Sequence, residues 1–223
     1  MVAAERAFVR LIPSFGFPCQ PPGRRSQLDA VNECTTRDAI LDAARDLFFE
    51  EGLHRTSMRS LANRVGLAQS SLYNHFPTKE ALVIAVMERS FELVDGTVRA
   101  VFESAPPSLD LLHAALHAHA LQHIHGIKET MVFEVEGRHM SPVMRQRIVE
   151  LRSIYEHRFY DLAERLVAAG CLDPTDLVTR VRMLLTAGTR INGWFRPGGA
   201  LTEEQVAEIY ANFGLASLGV PNR

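Results

Sequence analysis

The chain lacks most of the features that mark a specialised protein class. Its 24 Lys and Arg against 26 Asp and Glu leave a formal charge of −2, so bulk composition does not point to nucleic acid or to a charged surface. The three cysteines, Cys19, Cys34 and Cys171, form no C-x-x-C pair and no metal-ligand spacing, which excludes a disulfide scaffold and suggests reduced thiols. No apolar run reaches about 18 residues, so no transmembrane helix and no membrane partner are expected. Glu5, Arg6, Arg10 and Pro13 interrupt the mildly apolar beginning of the chain, which argues against a secretory leader and for a cytoplasmic protein. A G-x-S-x-G elbow, a P-loop, a dinucleotide-binding glycine fingerprint and a strand-end carboxylate pair are all missing, so enzymatic activity is not expected. Alternating strand patterns flanked by hairpin turns are missing too.

What is present is helical throughout. Thr35 or Thr36 starts a helix whose stripe of Ile40, Ala44, Leu47 and Phe48 closes at Gly52. Ser57 caps the next, with Met58, Leu61, Ala62 and Val65 at helical spacing, and Gly66 ends it. A third helix opens near Gln69 and runs to about His75. A fourth starts at Thr78 and reaches about Phe102, packed by Leu82, Ala85, Val86 and Leu93, before Pro106 and Pro107 break the chain. Helices are then expected from Ser108 to about His125 and from Ile127 to about Glu136. Ser141 with Pro142 opens one that ends at Gly170, and Asp173 with Pro174 opens one that runs to about Phe195. The last begins at Thr202, where Gln205 completes a capping box. The stretch from Pro18 to Gln27, rich in Pro, Gly and Arg, should be poorly ordered. Residues 1–33 therefore read as an N-terminal arm whose Arg24 and Arg25 touch DNA, or as an extension without a role.

The stretch from Thr56 to Ala81 carries the strongest functional signal. Two short helices meet at a tight turn, and from Gly52 to Lys79 the ionised side chains are Arg55, Arg59, Arg64 and Lys79, without Asp or Glu. The preceding helix is acidic instead, with Asp38, Asp42, Asp46, Glu50 and Glu51. Leu72 and Phe76 should point inward, leaving the polar face of the second short helix outward. This is the layout of a helix-turn-helix, whose second helix enters the DNA major groove. Gln69, Ser70, Ser71 and Asn74 suit base edges, and Ser57, Tyr73, His75 and Lys79 suit phosphates; Thr56 and Arg59 complete the candidate DNA-binding set.

The same residues resemble the TetR family of transcriptional regulators from Thr35 to about Asp95. The pattern is L-F-x-E-x-G at Leu47–Gly52, then T-S-M-x-x-L-A from Thr56 and S-L-Y-N-H-F-P-T-K-E-A-L from Ser71. One departure is Ala68, where many members have a Ser or Thr that caps the recognition helix; Ser70 or Ser71 would have to compensate. The resemblance implies an all-α protein, with a three-helix DNA-binding domain over 35–95 and a larger ligand-binding and dimerisation domain over 96–223. It further implies a ligand-responsive repressor, homodimeric through its last two long helices, on a near-palindromic operator in double-stranded DNA. Two stripes suit that contact, Leu177, Val181, Leu184, Gly188, Ile191, Phe195 and Val206, Ile209, Tyr210, Phe213, Ala216, with Ala187, Gly188, Ala211 and Gly214 allowing close approach; stripes this apolar more often form intramolecular core, which is the alternative.

For the ligand, Thr189–Gly199 contains R-x-x-x-W-F-x-P-x-G, and residues 150–159 read E-L-R-S-I-Y-E-H-R-F. Both resemble a TetR subgroup that responds to acyl-CoA thioesters, including regulators of fatty-acid and steroid-ring degradation. Arg190 and Trp194, four apart on one helix face, would take phosphate and adenine, the guanidinium by charge-assisted hydrogen bonds and the indole by stacking. Arg152, Tyr155 and His123 join them as candidate ligand contacts. The alternative is that Trp194 plugs the core and Arg190 pairs with a carboxylate, with some other hydrophobic small molecule as effector. No cofactor and no metal are expected. The pairs His113/His117 and His119/His123 have chelating spacing but point to opposite sides of one helix, so they cannot form a single four-ligand site. A metal-dependent helical hydrolase using the cluster from His113 to His125 is the alternative from another class.

Overall fold

The computed structural model describes residues 27–126 and 141–220, with side chains from residue 36 onward. The helix expected over 127–136, and Arg24 and Arg25, lie outside them. The described elements are all helices: α1 Gln27–Glu51, α2 Met58–Arg64, α3 Gln69–His75, α4 Lys79–Ser104, α5 Leu109–His125, α6 Pro142–Ala168, α7 Leu177–Thr189, α8 Ile191–Trp194 and α9 Glu203–Ser217. The chain divides into two compact units, residues 1–40 and 41–223, with the boundary inside α1. In the first, residues 27–40 form the opening part of α1. Apart from the start of that helix, everything described below belongs to the second.

Helix starts follow hydroxyl chemistry. The side chains of Ser57, Thr78, Ser108, Ser141 and Thr202 each accept a hydrogen bond from a backbone N–H in the first turn of the helix they precede. At Ser57 and Thr202 the bond is reciprocated, by Ser60 and Gln205, making two capping boxes. Two helix starts differ from expectation. Helix α1 begins at Gln27 rather than Thr35, so residues 27–33 are helical, not an irregular arm. The segment from Gln27 to Thr35 has neither Gly nor Pro, and nothing in it stops a helix once Pro22 and Gly23 are passed. Asp173 does not cap α7 either. Its carboxylate accepts from the N–H of Thr175 at 2.8 Å, a local turn, and the helix starts only at Leu177, after Asp176 in a left-handed conformation (φ 51°).

The body packs α5 against α4, α6, α7 and α9 around Leu112, Ala115, Leu116, Phe159, Leu162, Leu184 and Ala211. Two glycines allow this packing. A Cβ at Gly188 would lie 2.4 Å from the His119 ring and 2.7 Å from the Tyr210 hydroxyl, and one at Gly214 would lie 2.7 Å from Leu116. Both small residues thus serve packing within the protomer. On α4, Leu82, Ala85 and Val86 are buried as expected, but Leu93 is 53% exposed.

Candidate functional site

The helix-turn-helix is held by local contacts. Gly66 takes φ +68° at the turn between α2 and α3, a conformation that favours glycine. Leu61, Leu72 and Phe76 are fully buried beneath it, so the remaining face of α3 is presented outward. Gln69, Ser70, Tyr73 and Asn74 are exposed, and Ser71 and His75 half-buried, which leaves the expected reading residues accessible. Ala68 precedes α3 without a side-chain cap, so neither Ser70 nor Ser71 supplies the missing one there.

Two candidates are placed differently. Thr56 is buried, and its hydroxyl donates to the carbonyls of Gly52 (3.0 Å) and Leu47 (3.3 Å); it fastens the end of α1 and is not available to DNA. Lys79 directs its ammonium to the carbonyl of Leu53. Of the other basic groups, Arg64 pairs with Glu50 at 2.8 Å, and Arg55 donates to the carbonyl of Glu51. The charge segregation seen in sequence is therefore partly cancelled in space. Ser57 and Arg59 are exposed, and Arg59 has no ion-pair partner among the described residues.

The second site is a cavity of about 340 Å³ between α4, α5, α6 and α7. Four of the five candidate ligand residues meet there: His123, Arg152, Tyr155 and Arg190. Its walls are largely apolar, from Phe91 and Val94 on α4, Ile148 and Leu151 on α6, and Leu185 on α7, and the two threonines beside them, Thr186 and Thr189, donate their hydroxyls to the backbone carbonyls of Arg182 and Thr186. Arg152 and Arg190 are exposed and form its rim, whereas His119, His123 and Tyr155 are buried and form its floor. Glu156 also lines the cavity, but its carboxylate already accepts from the Tyr160 hydroxyl (3.2 Å) and faces Arg182 (3.7 Å).

Burial governs the protonation of that floor. It holds His119 well below the usual imidazole range, and it lowers His123 to about 4 with further help from the Arg152 charge. The Tyr155 phenol is pushed well above its ordinary value by burial. His119 contacts the Tyr155 hydroxyl through Nδ1 (2.7 Å) and the Leu185 carbonyl through Nε2 (3.1 Å). Sequence analysis did not place His119 at the site. Its signal is its position in the stripe Leu112, Ala115, Leu116, His119, Ala120, His123, a buried face on which a histidine must find polar partners.

Trp194 does not join Arg190. Helix α7 ends at Thr189, and Trp194 belongs to the separate turn α8 that Arg190 precedes; Arg190 lines the cavity and Trp194 does not. The indole is 57% exposed, which also excludes the core-plug alternative, and it lines a different cavity of about 270 Å³ with Leu201, Ile209 and Phe213. The last two are 56% and 60% exposed, so these residues of the α9 stripe are not protomer core. The histidine pairs do point to opposite sides. His113 and His117 face Glu208 (3.4 Å) and Glu204 (3.2 Å) on α9, and His119 and His123 face inward. Among the described residues no group of three or more His, Cys, Asp or Glu is gathered for a metal ion, and no helix is long and apolar enough to cross a membrane.

Two family models match this chain: the one for bacterial regulatory proteins of the tetR family over residues 40–86, and the tetracyclin repressor-like C-terminal domain over residues 105–218. The HTH-type transcriptional repressor KstR2 of Mycolicibacterium smegmatis is 29% identical over 181 residues, covering 78% of this chain and 86% of KstR2. The TetR family regulator PfmR from Thermus thermophilus superposes with a TM-score of 0.69 at 27% identity, covering 79% of this chain and 97% of PfmR. AibR, solved in complex with isovaleryl coenzyme A and operator DNA, gives a TM-score of 0.71 at 24% identity, over 80% of this chain and 97% of AibR. These relatives are regulators rather than enzymes. With its two-part match, its capped helix-turn-helix and its all-helical body, the chain belongs to the TetR family and is a DNA-binding transcriptional repressor of that type.

Proposed function

We propose that this repressor is a cytoplasmic homodimer released from a near-palindromic operator by a CoA thioester from lipid or steroid catabolism. The observation that carries the reading is the cavity with two guanidinium groups at its rim and apolar walls below. An acyl chain suits those walls, and the anionic part of the nucleotide suits Arg152 and Arg190. The KstR2 likeness and the isovaleryl-CoA held by AibR support that ligand class. Trp194, Leu201, Ile209 and Phe213 make an exposed apolar surface that a second copy would cover, setting two α3 helices about one DNA turn apart, roughly 34–36 Å. On this reading residues 35–95 are the DNA-binding domain and 96–223 the effector and dimer domain.

Helix α4 supplies the coupling. Phe91 and Val94 line the cavity, and on either side of them Glu88 bonds Arg147 (2.7 Å) and Asp95 bonds Arg158, both on α6. Arg89 reaches Asp42 of α1 at 3.3 Å. A ligand that binds better when α4 is displaced from α6 therefore moves the start of α4, next to the recognition helix, and lowers DNA affinity by that differential.

Calorimetric titration with a panel of acyl-CoA esters, beside operator-release assays, tests this. Arg190→Ala should weaken the ligand roughly 10- to 150-fold while leaving operator binding intact. Wild-type protein that binds no member of the panel would leave another hydrophobic molecule as effector. On DNA, Arg59→Ala should lower the salt slope by roughly 0.9 unit, whereas Gln69→Ala should alter preference at particular base pairs. An unchanged slope for Arg59→Ala would remove it from the phosphate contacts.

A further inference from the structure

Where His119 and Tyr155 form it, beside His123, the floor of the cavity has a defined hydrogen-bonding polarity, fixed by what lies behind it. The Nε2 of His119 sits 3.1 Å from the Leu185 carbonyl, which can only accept, so Nε2 carries the proton and donates. In the neutral ring Nδ1 is then an acceptor, and the Tyr155 hydroxyl at 2.7 Å must donate to it. The opposite tautomer would set two lone pairs against each other at Leu185. With its only proton committed, the Tyr155 oxygen can offer the cavity nothing but a lone pair. The neighbouring Tyr210 is committed in the same sense, donating to the Leu184 carbonyl at 2.8 Å. Gly188 packs directly against both groups: a Cβ there would lie 2.4 Å from the His119 ring and 2.7 Å from the Tyr210 hydroxyl. His119 is 1% exposed and Tyr155 6%, so water does not compete freely at this point.

We infer that the cavity selects an effector whose innermost group is a hydrogen-bond donor, a hydroxyl at the end of the apolar part, over one that ends in a carbonyl or in plain hydrocarbon. The inference rests on the reading of this cavity as the effector site, and it deepens that reading by stating the chemistry of the buried end. Arg152 and Arg190 at the rim address the opposite end of the molecule. The Tyr155 oxygen accepts the donor, Phe91 packs edge-on against the Tyr155 ring with centroids 6.1 Å apart, and Leu185 closes the other wall.

Two matched probe pairs test it on the full chain. The first is cyclohexanol against cyclohexanone, of like size, followed by ligand-observed NMR titration. The second is 4-hydroxycyclohexanecarbonyl-CoA against 4-oxocyclohexanecarbonyl-CoA, followed by calorimetry. One added hydrogen bond should favour the alcohol roughly 2- to 12-fold in each pair. Tyr155→Phe should level the two members, whereas Tyr210→Phe, which removes a phenol from the same cluster without opening the cavity wall, should leave the preference in place. A melting curve confirms that each variant is folded, and the wild-type preference decides the matter if Tyr155→Phe is not. Alcohol preference in the small pair with no binding of either thioester would keep the polarity of the floor and discard the CoA reading. Equal or reversed preference, or failure of all four probes to bind, would overturn the inference.

Discussion

In the helix-turn-helix, the side chains that shape the structure meet partners a few positions away: Ser57 bonds Ser60, and Thr56 reaches Gly52 and Leu47. In the helical body the decisive contacts span far more chain. His119 reaches Tyr155 and Leu185, 36 and 66 residues on, and Asp95 reaches Arg158. The first region is built from caps, a turn glycine and a small apolar wedge, so much of its chemistry is short-range. The second is a cavity left open between helices, and its polarity depends on which buried groups happen to meet. The reading head can therefore keep one layout while the body is free to change its ligand.

Acidification should break the comparison most strongly. His119 and His123 are held neutral in the folded body, whereas an unfolded chain protonates them near pH 6.5. Their folded values are depressed, so this part of the stability is complete above about pH 6.5 and falls as pH drops toward the folded value of about 4 for His123. The expected loss over that interval is about 3 kcal/mol from His123 alone. Asp95 opposes it, since burial pushes its carboxyl up despite Arg158 beside it. Urea melts between pH 7 and pH 4 should show the loss in the wild type and a shallower one in His123→Leu. Equal slopes would mean that His123 is solvated rather than buried.

Gly188→Ala comes next. The added methyl meets the His119 ring and the Tyr210 hydroxyl inside normal contact distance, and overpacking of this kind costs about 1–3 kcal/mol. Because the strain falls on the floor of the cavity, effector response should decline before operator binding does. A variant with wild-type melting and wild-type ligand affinity would show that the body yields more easily than its packing suggests.

The smallest effect belongs to the reading head. Ala68→Ser would give α3 the N-cap it lacks, raising stability by roughly 0.5–1 kcal/mol through a bond to the N–H of Ser70 or Ser71. The gain should appear as a modest rise in melting temperature with no change in ligand affinity, keeping the two regions separable. A change in ligand affinity of the same variant would contradict that separation.

Ser57, Thr78, Ser108, Ser141 and Thr202 were legible as helix starts because a cap acts on its own first turn, and Gly66 was legible because its turn needs a positive φ. Lys79 looks like a surface group in the chain but faces the carbonyl of Leu53, 26 residues back, and that meeting exists only once the helices close on one another. Arg190 and Trp194 look like partners on a continuous helix, but α7 ends at Thr189 and the two line different cavities.

By itself, then, the order of residues determined the all-helical plan, most helix boundaries, the turn between α2 and α3, the outward face of α3 and the family to which the chain belongs. Each depends on interactions within about one helical turn or on a periodic pattern that the chain displays directly. Only the tertiary structure decided that Arg64 faces Glu50, that His119 and Tyr155 share a buried hydrogen bond, and that Gly188 packs against His119. Those facts depend on distances between residues far apart in the chain, and burial then sets which of their groups donate, accept or carry charge.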